Sequence, residues 1–246
     1  MTRWLVILFL LWPAFALAGL TDDFQEAAEL YDAGNFAVAA AKYQAIIDKG
    51  YSSAELHYNL GCARFKAGEL GRAIASFRRA QRLVPDDEDV KINSQFARLF
   101  VVDKIDTAPA RFFPDQVETF LSKFHPNHYF WLALVSFALM FLILALRRLG
   151  ITIKPANTLA TFLMVVTILA TVSMVWVLKV NYLVNEGVIV VSETEVLSGP
   201  GSEFELQFDA HEGLTFRVLD QKSDCYLGLF ANKLKGWVKI ADVERI

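Results

Sequence analysis

The residue types that could catalyse a reaction are few and poorly spaced in this sequence. His125 and His128 lie three positions apart, as two ligands on one helix face would, but Pro126 between them breaks that geometry. We interpret them as interfacial histidines beside an apolar segment. Cys225 and His211 are the types that a thiol peptidase uses, but the surrounding short strands form too small a domain for such a fold. The sequence therefore predicts a protein that is not an enzyme, with no catalytic, metal or cofactor site.

The remaining chemistry signals agree with a binding role. The sequence contains no GxSxG, HExxH, phosphate-binding glycine loop or CxxC motif. Cys62 and Cys225 could form a disulfide in an oxidising compartment, but we favour two separate, small, buried positions. The formal net charge of −3 offers no basic face, so no nucleic-acid partner is predicted.

The apolar residues, 54% of the chain, are concentrated in three blocks. The first is typical of a signal peptide over residues 1–18. Arg3 supplies the positive start, residues 4–15 the apolar core, and Ala16-Leu17-Ala18 the small-residue cleavage site. The alternative is an uncleaved anchor. Cleavage would place the start of the mature chain near Gly19, outside the cytoplasm.

The second and third blocks, residues 129–146 and 159–178, are predicted transmembrane helices, with the lipid bilayer as partner. A helix of about 18 uncharged residues spans about 27 Å, close to the hydrocarbon thickness of a membrane. Cations mark their ends, since a buried cation would cost about 3 kcal/mol. The alternative, a pair of core helices, requires a larger soluble domain than this chain has.

The loop at residues 147–158 sets the predicted orientation. It holds Arg147, Arg148 and Lys154 and no acidic residue, which indicates a cytoplasmic loop by the positive-inside rule. The N-terminal and C-terminal domains then both lie in the periplasm, at the inner (cytoplasmic) membrane of a bacterium. The signal peptide independently favours the same orientation.

A shift of 34 residues superposes two N-terminal segments, pairing Gly34 with Gly68 and Tyr43 with Phe77. The pattern resembles tetratricopeptide repeats, all-α helix pairs with a concave groove lined by the first helix, helix A, of each pair. We expect this domain at residues 19–105. Its parts are repeats at about 20–53 and 54–87 and a capping helix at 88–105.

The groove is the predicted partner-binding site. A carboxylate clamp is disfavoured, since only Asn59 suits that role and Phe24 and Ala28 stand where a cation and an amide would be expected. An aromatic groove for an apolar segment is favoured, although several of its aromatic residues could instead belong to the core. The predicted contact residues are Phe24, Tyr31, Tyr58, Asn59, Phe65 and Lys66.

Residues 106–128 form a linker with a predicted amphipathic helix. Phe113, Val117, Phe120 and Phe124 recur at helical spacing, directly before a predicted span. The apolar stripe would lie on the membrane surface or, alternatively, pack on the repeat domain.

Residues 185–246 show short β-runs separated by glycine turns, typical of a small all-β domain. The order Gly199-Pro200, Glu212-Gly213 and Gly236-Trp237 resembles bacterial SH3 domains, which implies a small barrel with Trp237 buried. The tryptophan usual before the fourth strand of that family is replaced by Cys225-Tyr226. This departure weakens any inference of a cell-wall ligand groove.

The order of signal peptide, repeat pair, two spans and SH3-like domain resembles the BatE-like proteins of the Bacteroides aerotolerance operon. That resemblance implies a scaffold or adaptor beside von Willebrand A-domain membrane proteins and an AAA ATPase, in envelope stress tolerance or maturation of exported complexes. The alternative is a cell-wall sensor or anchor whose SH3-like domain binds peptidoglycan. The aromatic groove favours the scaffold.

Overall fold

A computed structural model describes residues 21–103, 120–121, 124–150, 155–182, 185–231 and 233–246. The chain forms two compact units. The first combines the N-terminal helices with the C-terminal strands, and the second contains two long helices. The predicted signal peptide, Lys154 and most of the predicted linker helix lie outside the described residues.

The N-terminal region is a series of helices paired as the repeat pattern predicts. Ser53 begins the third helix by accepting a hydrogen bond from the Leu56 amide at 3.0 Å, and Asp87 begins the fifth through the Val90 amide, also at 3.0 Å. The helices are α1 at residues 21–32, α2 Phe36–Asp48, α3 Ala54–Lys66, α4 Leu70–Leu83 and α5 Glu88–Arg98.

Close packing within each helix pair depends on small residues. Gly61 lies against the Phe77 ring, and a Cβ atom there would approach the ring carbons to 2.7 Å. Gly34 and Gly68 make the turns between paired helices at φ +79° and +86°, which favour glycine. Tyr43 and Phe77, one repeat apart, are both almost fully buried. The predicted repeat pair is confirmed.

The second unit consists of α6 Pro126–Arg148 and α7 Ala156–Tyr182. Both helices are long and apolar enough to cross a membrane, and they contain the two predicted spans. Only 17% and 11% of their most apolar windows are buried, unlike the core helices of a soluble domain. Between them, the Ser136 and Thr167 hydroxyls share a hydrogen bond of 2.8 Å.

The C-terminal region is an antiparallel sheet in the order β3-β2-β6-β5-β4-β1-β7. Its strands are β1 Glu186–Ile189, β2 Glu193–Leu197, β3 Leu206–His211, β4 Thr215–Lys222, β5 Cys225–Leu229, β6 Lys235–Lys239 and β7 Val243–Arg245. The predicted all-β structure of this region is confirmed. The closed barrel is not confirmed, because the sheet is open in the described residues, with β3 and β7 at its edges.

Alternation along β6 decides which side chains enter the core of the sheet. Val238 is fully buried beside Val196 and Phe230, whereas Trp237 is only partly buried. Trp237, which the SH3 resemblance implies to be buried, is thus partly buried, because its neighbour Val238 occupies the inward position.

The strands and the N-terminal helices share a core within the first unit. Val188 of β1 is fully buried among Ala73, Ile74 and Phe77 of α4, and Ile246 packs against the same cluster. Two regions that the sequence analysis treated as separate domains are therefore in contact. We call residues 21–103 the repeat domain and residues 185–246 the β domain.

Candidate partner-binding surface

The predicted groove residues lie on α1 and α3, the first helices of the two repeats. In the first repeat, the Phe24 ring meets the Tyr43 ring edge-on at 5.5 Å, and the Tyr31 ring meets Phe36 at 5.2 Å. Phe24 and Tyr31 are half-buried and pack against the core of that repeat. These two aromatic rings therefore stabilise the repeat as well as lining its helix-A face.

Tyr58 is also held by its own domain. Its hydroxyl accepts a hydrogen bond from the Asn93 side-chain amide at 3.0 Å, and its ring lies 6.0 Å from that of Phe77. Burial, together with Cys62, raises the pKa of Tyr58 to about 12. Tyr58 therefore joins α3 to α4 and α5, and only part of its surface is available to a partner.

Phe65 lies at the centre of an aromatic cluster that continues onto α5. Its ring meets those of Phe96 at 5.7 Å and Phe100 at 5.4 Å, both edge-on. Asn59 is half-buried and Lys66 is exposed, both on α3. The structure thus groups Tyr58 and Phe65 against α5, while Phe24 and Tyr31 belong to the first repeat.

One row of exposed apolar residues in the repeat domain was not predicted. It forms a stripe on α5 and just beyond it, with Ile92 58%, Phe96 49%, Leu99 75% and Phe100 55% exposed. We call these four residues the α5 stripe. An apolar patch of this kind is uncommon on a soluble protein without a partner.

A second application of the 34-residue shift, which carries the second repeat onto α5, would have identified the α5 stripe. The shift carries Tyr58 to Ile92, Cys62 to Phe96, and Lys66 to Phe100. The stripe is therefore the third row of the same helix-A face, on the helix that the sequence analysis assigned to capping. A cap normally presents a polar outer face.

The opposite side of the repeat domain is covered by the β domain and has polar and charged side chains at its edge. We call it the closed face. Arg64, only 7% exposed, donates hydrogen bonds to the Ser76 hydroxyl at 2.9 Å and the Gln44 side-chain carbonyl at 2.8 Å. It also lies 3.4 Å from the Glu244 carboxylate of β7. Burial lowers the pKa of Arg64, and Glu244 partly offsets that effect.

His57 lies in the same closed region. Its Nε2 atom is 3.0 Å from the Ser52 hydroxyl, and its Nδ1 atom is buried and has no hydrogen-bond partner among the described residues. Burial lowers the pKa of His57 to about 4, with Arg79 and Arg64 adding repulsion. The imidazole is therefore neutral at pH 7.

The histidines and cysteines considered as catalytic candidates have ordinary local environments in the structure. His125 caps α6 by accepting a hydrogen bond from the Asn127 amide at 3.3 Å, and His128 lies in the first turn of that helix. Cys62 and Cys225 are free thiols. Within the described residues, no group of three His, Cys, Asp or Glu side chains is arranged to hold a metal ion.

Comparison with known proteins identifies the repeats. A family model described as tetratricopeptide repeat matches residues 24–88. The match covers both repeats and ends where α5 begins. No curated protein matches the chain.

Proposed function

We propose that this protein is a non-enzymatic membrane scaffold whose repeat domain binds an apolar segment of a partner protein. Tetratricopeptide repeats indicate a role in protein–protein interaction. The observation that carries the proposal is the α5 stripe, in which Phe96 and Phe100 remain about half exposed beside Phe65. Aromatic side chains on an otherwise well-packed surface are the usual anchors of protein interfaces.

The proposed binding surface keeps the six predicted contact residues and adds the α5 stripe. Phe24, Tyr31, Tyr58 and Phe65 supply its half-buried floor, and Asn59 and Lys66 its polar edge. The α5 stripe supplies most of the accessible apolar area. A partner segment with bulky apolar residues fits this surface better than a charged terminus does, because the half-buried floor and the α5 stripe are mainly apolar.

We propose that α6 and α7 cross the inner membrane of a bacterium and that the repeat and β domains both lie in the periplasm. The two domains contact each other, which requires them to be on one side of any membrane that the two helices cross. The cationic loop between the helices favours the cytoplasm for the turn, and hence the periplasm for both domains.

We further propose that the β domain is SH3-like and that the partners are von Willebrand A-domain membrane proteins acting in aerotolerance or envelope stress. Support for these finer assignments comes from the domain order and its resemblance to BatE-like proteins. The peptidoglycan-sensor alternative has less support, because the repeat domain covers part of the β domain around β1 and β7.

Site-specific photo-crosslinking in native membranes tests the binding surface. The full chain carries p-benzoylphenylalanine at Phe96 or, as a matched control, at Val38, which is also about half exposed but lies on α2. We expect a discrete crosslinked membrane protein from position 96 only. Equal crosslinking from both positions, or none from position 96, would contradict the proposed surface.

Reporter fusions test the orientation independently. Alkaline phosphatase is active only outside the cytoplasm, so fusions after Asn127 and after Ile246 should be active and a fusion after Gly150 inactive. Activity after Gly150 alone would invert the proposed topology.

A further inference from the structure

We infer that the β domain is the C-terminal cap of the repeat array, taking the place that the second helix of a third repeat would occupy. The cap does not depend on which partner the helix-A face binds. The capping surface consists of β1, β7, the turn between β3 and β4 and the first residue of β4, and it packs on the α4–α5 face of the same chain.

The repeat register identifies α5 as a third helix A. The second repeat begins at Ala54, and α5 begins 34 residues later at Glu88. In the second repeat, Ala63 is fully buried and Arg64 donates to Ser76 on α4, the second helix of that repeat. A complete third repeat would place a further helix against the equivalent face of α5.

Strands occupy that face instead. Ala97, the equivalent of Ala63, is fully buried in the cluster that contains Val188. Arg98, the equivalent of Arg64, donates to the Thr215 hydroxyl of β4 at 3.4 Å. Contacts that a second helix makes in the complete repeat are therefore made by the β domain in the incomplete one.

Two glycines allow this close approach. A Cβ atom on Gly71 of α4 would lie 2.2 Å from the Ile189 carbonyl oxygen of the β domain. A Cβ atom on Gly213 would lie 2.7 Å from a Val101 methyl group and 3.0 Å from Ile74. At Gly71 two backbones thus approach to a distance that only glycine permits, and at Gly213 the backbone packs directly against side chains of the repeat domain.

Charged groups fix the position of β1 and β7 on α4. Glu186 accepts hydrogen bonds from the Arg78 guanidinium at 2.8 and 3.2 Å, a two-pronged pairing that specifies geometry as well as charge. Glu244 pairs with both Arg79 and Arg64. These partners are partly buried, so solvent screens them less than it screens an exposed pair.

The turn after β3 adds a third attachment. The Asp103 carboxylate accepts hydrogen bonds from the His211 backbone amide at 2.7 Å and pairs with its ring at 3.0 Å. The next residue, Glu212, accepts a hydrogen bond from the Gly71 amide at 2.8 Å. That amide is in the first turn of α4, where helix amides lack partners within the helix.

The need for such a cap follows from the size of the array. Each repeat buries its apolar face against its neighbours, and two repeats are close to the minimum that forms a continuous core. Without the β domain, the faces of Ala73, Ile74 and Ala97 would be exposed to solvent. The cap therefore stabilises α4 and α5 and, through them, the helix-A face.

Gly71→Ala in the full-length protein in detergent is the first test. The presence of a cap and its absence predict opposite changes in the stability of α4 and α5. Alanine favours a helix over glycine, so α4 alone would become more stable. Against β1, the added methyl group has no room. We expect hydrogen exchange of the α5 amides to accelerate at least tenfold, and unchanged or slower exchange would overturn the cap.

A charge exchange is the second test and does not risk a failure to fold. Glu186→Arg should accelerate exchange in α5, and Arg78→Glu added to it should restore exchange to within about threefold of the wild-type protein by reforming the pair. Glu26→Arg is the matched control, because its partner Lys42 lies in an exposed pair on the first repeat. A double variant that exchanges as fast as Glu186→Arg, or a control that exchanges equally fast, would overturn the assignment.

Discussion

The repeat domain has two faces that use side chains in opposite ways. On the closed face, arginines of α3 and α4 pair with glutamates of the β domain, and Val188 is fully buried between them. On the open face, the α5 stripe leaves phenylalanine rings about half exposed. The closed face has charges at its edge and apolar groups inside, whereas the open face presents apolar groups to solvent.

We therefore expect the closed face to stabilise the fold and the open face to bind a partner. Residues of the closed face complete the core of the repeat domain, so substitutions there should change the free energy of unfolding. Residues of the α5 stripe add little to that core, so substitutions there should change affinity for a partner. Four experiments test the separation, each with the full-length protein.

Val188→Asp should have the largest effect. It places a carboxylate in a fully buried site among Ala73, Ile74 and Phe77. We expect a loss of at least about 3 kcal/mol in the free energy of unfolding, because a charge is buried in an apolar cluster. Val38→Asp, at a half-exposed site in the first turn of α2, should change it by less than about 0.5 kcal/mol. Equal effects on thermal unfolding would show that the closed face is not a core.

Lowering the pH should reduce the free energy of unfolding, because His57 in the closed face is held neutral by burial. Its pKa is about 4 when folded and 6.5 when exposed, so the unfolded chain binds a proton first as the pH falls. Stability is complete above about pH 6.5 and is lost progressively towards pH 4, by about 2 kcal/mol between pH 7 and pH 5.

Thermal unfolding at pH 7 and pH 5 measures this loss, and His57→Gln should reduce the difference. His211 acts in the opposite direction, because Asp103 raises its pKa, so His211 stabilises the fold at low pH and this contribution is lost as the pH rises. His211→Gln should therefore steepen the loss on acidification. A pH dependence that is the same in wild-type and His57→Gln proteins would contradict the role of the buried imidazole.

Phe96→Ser combined with Phe100→Ser should weaken partner binding without unfolding the protein. Two half-exposed aromatic anchors contribute about tenfold in affinity, whereas the cost to stability comes from their edge-on contacts with Phe65, about 1 kcal/mol each. Quantitative co-purification from native membranes measures the first effect and thermal unfolding the second. Full recovery of partners by the double variant would remove the α5 stripe from the binding surface.

Tyr58→Phe should have the smallest effect and assigns Tyr58 to one face or the other. The substitution removes only the hydroxyl that accepts a hydrogen bond from Asn93. If Tyr58 mainly joins α3 to α5, stability should fall by about 1 kcal/mol and affinity should hold. A larger loss of affinity than of stability would place the hydroxyl in contact with the partner.

Local patterns in the sequence predicted much of this fold. Gly34 matches Gly68 and Tyr43 matches Phe77 at a spacing of 34 residues, because each repeat makes the same internal contacts. This pattern can be recognised from the sequence alone. The two apolar helices and the short strands follow from periodicity and length in the same way. The helix-A face was also predictable, although the α5 stripe was missed because α5 was assigned to capping.

The union of the repeat and β domains was decided by tertiary structure alone. Arg78 and Glu186 are 108 positions apart, and a pattern within one segment carries no information about a contact at that separation. The same holds for Gly71. Only the folded structure shows that glycine is needed there, because the Ile189 carbonyl oxygen leaves no room for a Cβ atom. Local sequence thus determined which helices and strands form, whereas the packing of distant surfaces decided which face of the repeats is closed and which stays open.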